Sequence, residues 1–262
     1  MIVNELKSSD GSIKRVHRLC DGELVESVIL THKSKKNVCV SSQAGCRMGC
    51  RFCASGKRFG RNLTAGEMLE QAEDNIGSVV FMGMGEPLDN PDLPEAIELL
   101  KKEKGIPSRK IVVSTVGLVD RMDLLLPTKV NIAISLHATT QEQREKIIPI
   151  ARKYTLGMLK EKMRELDEKL PRSRKLQIEY ALIKGFNDSP DDARRLGGLV
   201  PKRSLINVIP VNDIGAGFES PSHDEAWAFK ELVRKEGFIC YVREPKGRDI
   251  AAACGMLAGK KS

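Results

Sequence analysis

Three cysteines stand close together early in the chain. Cys46, Cys50 and Cys53 have the spacing C-x3-C-x2-C, and Phe52 directly precedes the last of them. Thiolates held this close in one loop can bind three irons of a 4Fe–4S cubane and leave the fourth iron open. An open iron can chelate the amino and carboxylate groups of S-adenosylmethionine (SAM) and pass an electron to its sulfonium. The spacing therefore favours a cluster that initiates radical chemistry.

Two other uses of these cysteines fit less well. A zinc site normally has four ligands, usually as two C-x2-C pairs, and no second pair follows because Cys240 and Cys254 are isolated. A disulfide framework is disfavoured because the cysteines number seven and no export signal is expected at the N-terminus. A zinc-bearing RNA-binding module stays as the alternative from another functional class.

Composition limits the partners that the protein can have. Lys and Arg number 43 against 35 Asp and Glu, and the formal net charge is +8. A basic surface attracts polyanions by releasing counterions, so RNA is a natural partner, although an ordinary basic surface fits equally well. No run approaches the ~18 apolar residues of a membrane span. We therefore expect a cytoplasmic protein without membrane contacts.

Apolar strand-like runs alternate with amphipathic helical stretches along most of the chain. Strands are predicted at 25–30, 37–41, 78–82, 111–115, 130–136, 176–183, 205–210 and 239–242. Helices are predicted at 65–75, 93–104, 140–148, 156–169, 190–199 and 223–236. This alternation is typical of parallel βαβ units, so the predicted fold class is α/β, as all or part of a parallel barrel. Chemistry in such a barrel occurs at the carboxyl ends of the strands.

Several residues that could bind a ligand follow these strands. Gly85 and Glu86 come after strand 78–82 in a glycine-containing turn that lacks the third glycine of a dinucleotide site. Ser114, Ser135 and His137 are polar residues in or beside apolar strands, where a buried polar group needs a backbone or ligand partner. A plain turn and a structural histidine remain the alternatives.

These motifs together resemble the RlmN/Cfr family of radical SAM RNA methyltransferases. The matching segments are CVSSQAGC at 39–46, CRFC at 50–53, RNLT at 61–64, GMGEPL at 83–88, SLHA at 135–138 and ACG at 253–255. The resemblance covers nearly the whole chain. It implies a partial (β/α)6 TIM-type radical SAM barrel over residues 38–262, preceded by a short β-rich extension at residues 1–37. It also implies that the family's usual N-terminal accessory domain is lacking.

The resemblance assigns roles to individual residues. Cys46, Cys50 and Cys53 would hold the cluster, and SAM would be bound by Gly85, Glu86, Ser114, Ser135, His137 and Asn212. Cys254 would carry the transferred methyl group, and Cys39 would be the second catalytic cysteine. Glu26 would manage the substrate proton, with an exposed strand glutamate as the alternative. Cys20 and Cys240 match no motif and are assigned to structure.

The resemblance also implies the reaction. Two SAM molecules are used per turnover, one to methylate Cys254 and one to activate that methyl group for addition to an adenine carbon. Attack of Cys39 on the Cys254 sulfur then releases the product and leaves a disulfide. Glu86-Pro87 resembles the RlmN branch of the family more than the Cfr branch and so favours methylation at C2. Methylation at C8, the reaction of the Cfr type, is the alternative. The substrate would be rRNA and/or tRNA, the electron donor a flavodoxin or ferredoxin, and the enzyme a monomer.

Overall fold

The computed structural model describes residues 1–32 and 35–258. Its strands are β1 (Ile2–Lys7), β2 (Ile13–Arg18), β3 (Leu24–His32), β4 (Lys35–Cys39), β5 (Gln43–Gly45), β6 (Phe59–Asn62), β7 (Ser78–Phe81), β8 (Ile111–Thr115), β9 (Asn131–Ser135), β10 (Gln177–Leu182), β11 (Leu205–Pro210) and β12 (Ile239–Val242). Its α-helices are α1 (Ala65–Leu69), α2 (Leu93–Glu103), α3 (Gln141–Ile147), α4 (Leu156–Lys169), α5 (Pro190–Leu199) and α6 (His223–Lys235). Residues 259–262 of the predicted core lie outside the described residues.

Ten of these strands form one sheet in the order β1-β2-β3-β4-β7-β8-β9-β10-β11-β12. The first four pair antiparallel, and from β4 onward each neighbouring pair is parallel. β4 joins the two parts, because it is antiparallel to β3 and parallel to β7. The predicted α/β fold with a β-rich beginning is confirmed. The division at residue 37 stays a prediction, since strands on both sides of it belong to one continuous sheet.

The helices begin where the sequence places capping residues. Thr64, Thr140, Ser189 and Ser222 each accept a hydrogen bond from the third residue of the following helix, whose side chain bonds back to the cap. The predicted bounds of α4 and α5 agree with the structure. None of the helices in the described parts of the chain is both long and apolar enough to span a bilayer.

Helix α1 is shorter than predicted, ending at Leu69 rather than at residue 75. The reason is a tertiary contact of Gln71, whose side chain is buried. Its amide accepts a hydrogen bond from Ser41 N at 2.7 Å and donates to Ser41 O at 2.9 Å. These two hydrogen bonds to the segment that follows β4 take the place of a further turn of the helix.

The carboxyl ends of the parallel strands lie at one edge of the sheet, where they approach each other closely. Gly83 follows β7, and a Cβ added to it would lie 2.7 Å from both Ser41 Oγ and Val40 O. Real Cβ atoms do not approach backbone this closely, so a side chain here would push the strand ends apart. Gly83 therefore sets the spacing of β4 and β7 beneath the predicted site.

We expect Gly83→Ala to lower the free energy of unfolding by about 1–3 kcal/mol, because the added methyl overpacks a rigid contact. Urea denaturation of the purified protein measures this change. Gly198→Ala in α5 is the matched control, since nothing lies within 4 Å of its added Cβ. Alanine in a helix should stabilise by roughly 0.5 kcal/mol. Equal effects of the two changes would contradict the assigned role of Gly83.

Candidate active site

One cavity opens at the carboxyl ends of the parallel strands. All the predicted cluster ligands and SAM-binding residues line it, together with Cys254. They come from the ends of β8 and β9, from the loops after β5, β7, β9 and β11, and from the segment near the C-terminus. The sheet therefore gathers residues that are more than two hundred positions apart in sequence, Cys46 and Cys254 among them. Cys39 and Glu26 are not among the residues that line this cavity.

The three clustered thiols lie in a protected environment. Burial raises the pKa of Cys46 to about 12 and that of Cys50 well above its usual range. The Cys53 and Cys46 thiolates raise the pKa of Cys50 further, so the three sulfurs lie within electrostatic range of one another. A buried thiol becomes a thiolate when it binds a metal centre, because the positive charge of the metal compensates the negative charge of the sulfur.

The donor set suits a cluster rather than a single ion. In residues 1–32 and 35–258, no three His, Cys, Asp or Glu side chains are arranged to hold one metal ion. A cubane binds its ligands through different irons, so its sulfurs need not converge on one point. Three neighbouring thiols on a cavity wall fit such a group, with the open side of the cavity left for SAM.

The cluster loop is fixed by its own backbone. Cys46 N donates to Arg58 O at 2.8 Å, which joins the two ends of the loop. Gly45, just before it, has φ +88°, and an added Cβ would collide with the same carbonyl. Only glycine fits there, because the position combines a left-handed conformation with a close backbone approach.

Cys254 lies in an irregular segment that is held from two sides. On one side Ala54 N donates to Gly255 O at 2.7 Å and Ser55 Oγ donates to Leu257 O at 2.6 Å. Both donors directly follow the cluster loop. The segment carrying Cys254 is thus bonded to the same turn that ends at Cys53.

On the other side the N-terminal strands hold the same segment. Gly247 N donates to Asp10 Oδ2 at 2.8 Å, and Ser8 Oγ donates to Asp249 Oδ1 at 2.6 Å. Ser8 and Asp10 lie in the turn between β1 and β2. The β-rich beginning of the chain therefore supports the position of Cys254.

Cys39 and Cys254 are within electrostatic range of each other. Burial raises the pKa of Cys39 to about 12, and the Cys254 thiolate adds to this shift. Cys254 is solvent-exposed on the cavity wall, yet enough protein surrounds it to raise the pKa of its thiol, with Glu179 adding to the shift. All seven cysteines are free thiols, so no Cys39–Cys254 disulfide is formed in this structure.

Glu86 is buried in the turn after β7. Its carboxylate accepts hydrogen bonds from Val116 N at 2.7 Å and Leu88 N at 3.1 Å. Burial raises the pKa of Glu86 to about 7, even though these donors favour the charged form. Gly85 beside it has φ +105°, and an added Cβ would lie 2.7 Å from the Gln43 side chain. The carboxyl group is therefore fixed in place and close to its titration point at neutral pH.

His137 is a neutral histidine on the cavity wall. Its Nδ1 accepts a hydrogen bond from Ala181 N at 2.9 Å, which places the ring proton on Nε2. Burial lowers the pKa of His137 to about 3, and the Arg144 charge adds to this shift. Its ring meets Phe52 edge-on, with the centroids 5.0 Å apart. The histidine thus joins the strand end to the cluster loop.

The other polar residues of the predicted SAM site already have partners. Ser114 Oγ and Ser135 Oγ are 3.3 Å apart. Asn212 Nδ2 donates to Cys254 O at 3.0 Å, and its Oδ1 accepts from Arg248 Nε at 2.7 Å. Asn212 therefore lines the cavity and also holds the backbone of Cys254.

Glu26 is buried below the C-terminal segment. It is 2% exposed, pairs with Lys14 at 3.3 Å and accepts a hydrogen bond from Ala258 N at 2.8 Å. The alternative of an exposed strand glutamate is therefore wrong. A part in proton transfer stays a prediction, because these contacts connect Glu26 with the C-terminal segment and not with the cavity wall.

Two buried charged residues were not predicted from the sequence. Glu179 in β10 lines the cavity, and its Oε1 accepts from Asn207 at 2.8 Å, while Oε2 has no partner among the described residues. The sequence does contain a signal for Glu179, because an acidic residue inside the apolar run 176–183 indicates a buried carboxylate. Arg144 in α3 is fully buried. Its position gave no signal, because arginines of amphipathic helices usually face solvent.

Comparison with known proteins identifies the family. The model of the radical SAM superfamily matches residues 40–196. The dual-specificity RNA methyltransferase RlmN of Geobacter sulfurreducens is 43% identical over 97% of this chain and 73% of its own length. The probable RlmN of Pseudothermotoga lettingae is 40% identical over 98% of this chain and 78% of its own.

The chain belongs to the RlmN family of the radical SAM superfamily.

A solved structure supports this membership. A radical SAM methyltransferase from Sphaerobacter thermophilus superposes with a TM-score of 0.94 and 36% identity, covering 99% of this chain and 81% of that chain. The predicted family and the partial radical SAM barrel are thereby confirmed. Members of the superfamily use a 4Fe–4S cluster and SAM, so these are the cofactors of this RlmN-family protein.

The raised pKa of Glu86 predicts a pH dependence of stability. The folded pKa of about 7 exceeds the ordinary value of 4.5, so ionisation of Glu86 destabilises the fold. Protein prepared without the cluster should lose roughly 3 kcal/mol of unfolding free energy between about pH 4.5 and 7, and Glu86→Gln should not show this loss. Urea denaturation at pH 5 and pH 8 measures the difference.

Glu98→Gln provides the control for this measurement, because Glu98 lies on the surface of α2 beside Lys101. Its pH dependence should match the wild type within error. Identical pH slopes in the wild type and Glu86→Gln would show that Glu86 does not titrate as assigned.

Proposed function

We propose that this protein methylates C2 of an adenosine in rRNA and/or tRNA through a methylated Cys254. The observation that carries the proposal is the single cavity shared by the three cluster cysteines, the Gly85-Glu86 turn and Cys254. The name of the curated relatives, dual-specificity RNA methyltransferase RlmN, supports the RNA substrate. Methylation at C8 is not favoured, because these relatives carry the RlmN name. A zinc-bearing module is not favoured either, because the chain is a radical SAM protein.

The chain divides the binding of its cofactors between loops. Cys46, Cys50 and Cys53 would hold the cluster, whose chemistry when bound is one-electron cleavage of SAM to a 5′-deoxyadenosyl radical. Glu86 would accept a hydrogen bond from the SAM ammonium group, which would favour its ionised form. Ser114, Ser135, His137 and Asn212 would bind the ribose and carboxylate.

Cys254 would accept a methyl group before the radical step. Its sulfur would attack the methyl carbon of a first SAM, forming the S–CH3 bond as the sulfonium–methyl bond breaks and releasing S-adenosylhomocysteine and the thiol proton. The protein needs this carrier because an amidine carbon of adenine is not nucleophilic and cannot attack a sulfonium directly. The bonds from Ala54, Ser55 and Asn212 keep the carrier beside the cluster loop.

Cys39 would act last. Its pKa of about 12 keeps it a thiol at neutral pH, so it stays unreactive until a base removes its proton. Attack on the Cys254 sulfur would then form a disulfide and release the methylated base. We propose Glu26 as the acceptor of the adenine ring proton; its carboxylate is buried beside the C-terminal segment, where it accepts a hydrogen bond from Ala258 N.

RNA would approach the mouth of the cavity through its phosphates. Arg58 and Arg61 are engaged by Glu23 and Asp21, whereas Arg243 and Lys246 are exposed. The stretch 243–248 is therefore the better phosphate-binding candidate. The target adenine must leave its stack to enter a cavity of this kind.

We further propose a flavodoxin or ferredoxin as electron donor, a monomeric enzyme, two SAM per turnover and a cytoplasmic location.

An anaerobic assay tests the proposed function. The reconstituted protein should be brown, contain about four irons per chain and form 2-methyladenosine in rRNA or tRNA supplied with SAM and a reductant. Nucleoside mass spectrometry identifies the product. Formation of 8-methyladenosine would overturn the C2 assignment, and an iron-loaded protein that leaves both RNAs unmodified would overturn the RNA substrate.

Replacement of the two catalytic cysteines should have different results. Cys254→Ala should abolish RNA methylation while still cleaving SAM to 5′-deoxyadenosine, because the cluster ligands are unchanged. Cys39→Ala should trap a covalent RNA–protein adduct, seen as a slow gel band that RNase treatment removes. Cys20→Ala is the control, since Cys20 is exposed and outside the cavity. Full methylation by Cys254→Ala would rule out the covalent carrier.

A further inference from the structure

A fully buried arginine lies beside the cluster loop with only main-chain partners. Arg144 is 0% exposed, and its guanidinium donates to Val116 O at 2.5 Å, Leu136 O at 3.2 Å, Ser135 O at 3.4 Å and Tyr154 O at 3.4 Å. These carbonyls lie at the ends of β8 and β9 and in the loop before α4. All its hydrogen bonds among the described residues thus go to neutral acceptors.

Carbonyl oxygens satisfy the donors of Arg144 but do not neutralise its charge. A buried charge without a countercharge costs several kcal/mol, so proteins pair such groups. Burial lowers the pKa of Arg144 to about 10, and the Cys50 thiolate is the one anionic group among the described residues that opposes this shift. Arg144 therefore stays cationic at neutral pH, and within residues 1–32 and 35–258 no carboxylate pairs with it.

The end of α3 brings this charge to the cluster loop. Arg51 N donates to Ile147 O, the last residue of α3, at 2.9 Å. An added Cβ on Gly49 would lie 3.7 Å from the Pro149 side chain. The residues on either side of Cys50 therefore rest on the end of the helix that carries Arg144. In agreement with this placement, the Arg144 charge favours the thiolate of Cys50 and so lowers its pKa, against the larger effect of burial.

A bound cluster would supply the missing negative charge. Its three thiolates outnumber the two positive charges of the oxidised cubane, so the whole group carries one net negative charge. Uptake of one electron adds a second negative charge. The potential of an iron–sulfur cluster depends on its net charge and on its surroundings, and a fixed nearby cation stabilises the more negative, reduced state.

We propose that Arg144 is the buried counter-cation of the cluster and raises its reduction potential. Arg144 acts as a positioning residue with a fixed charge: it neither gains nor loses a proton when one electron passes from the external donor to the cluster. The same side chain ties together the strand ends that carry Ser114 and Ser135. The proposal rests on the assignment of Cys46, Cys50 and Cys53 as cluster ligands.

A redox titration of reconstituted variants tests the proposal. Arg144→Gln keeps a hydrogen-bond donor without the charge, and Arg144→Lys keeps the charge. In Arg144→Gln, the ratio of reduced to oxidised cluster at a given potential should fall about tenfold, equal to a shift of about −59 mV for one electron. Arg144→Lys should stay within about threefold of the wild type. Electron paramagnetic resonance measures the reduced fraction, without RNA or added SAM.

Arg164→Gln is the matched control for loss of one positive charge. Arg164 lies on α4, with 60% of its side chain exposed, so water screens its charge and no shift is expected. An unchanged potential in Arg144→Gln would overturn the proposal. A shift in Arg144→Lys as large as that in Arg144→Gln would also overturn it, because hydrogen bonding and not charge would then be responsible.

A second measurement does not depend on the potential. Cluster loading should raise the Tm of the wild type more than that of Arg144→Gln, because only the wild type has an uncompensated cation to pair. An equal rise would contradict the proposal. If the Gln variant does not fold, Arg144→Met takes its place in both measurements. Iron content and the absorption spectrum of the cubane show whether the cluster is bound. Because neither measurement needs RNA, a failure of the Arg144 proposal can be told apart from a failure of the proposed RNA methylation.

Discussion

Negative charge in a poorly solvated cavity is the constraint on which the rest of this site depends. A cluster held by Cys46, Cys50 and Cys53, as proposed, would require thiolates there, whereas burial favours neutral thiols at Cys46 and Cys50. Other groups on the cavity wall are shifted toward their neutral forms: the pKa of Glu86 and Glu179 is raised and that of His137 is lowered. The wall therefore adds little charge that would compete with the cluster. Arg144, buried behind the wall, stays cationic at neutral pH although burial lowers its pKa to about 10, and its charge has the sign that would balance thiolates.

The same constraint explains why the cluster loop is fastened so firmly. The backbone bond from Cys46 to Arg58 joins the two ends of the loop, and the bond from Arg51 to Ile147 holds its middle against α3; neither uses a side chain that solvent could displace. Ala54 and Ser55 extend this rigid loop to the segment of Cys254. In the proposed mechanism the methyl carrier Cys254 would have to come close to the radical centre and later to Cys39, so its position relative to the loop would be decisive. Small residues around Cys254 allow this close approach.

The β-rich beginning of the chain supports the segment that carries Cys254. The turn between β1 and β2 binds the segment 247–249 through Asp10 and Ser8, and Lys14 pairs with Glu26 beneath Ala258. One end of the continuous ten-stranded sheet thus supports the segment of Cys254, and the strand ends of its parallel part line the cavity. This arrangement connects the β1–β2 turn with the segment of Cys254 on the cavity wall of an RlmN-family protein.

The sequence by itself determined the spacing of the cysteines, the α/β alternation, the capped helix starts and the family motifs. These features follow from local rules, because capping, strand periodicity and ligand spacing involve residues a few positions apart. Only the tertiary structure decided that α1 stops at Leu69, that Glu26 is buried, and that Arg144 and Glu179 face inward. Each of these depends on a partner far away in sequence, such as Ser41 for Gln71 or Ala258 for Glu26. Burial of a charge is a property of the assembled fold, and no local pattern encodes it.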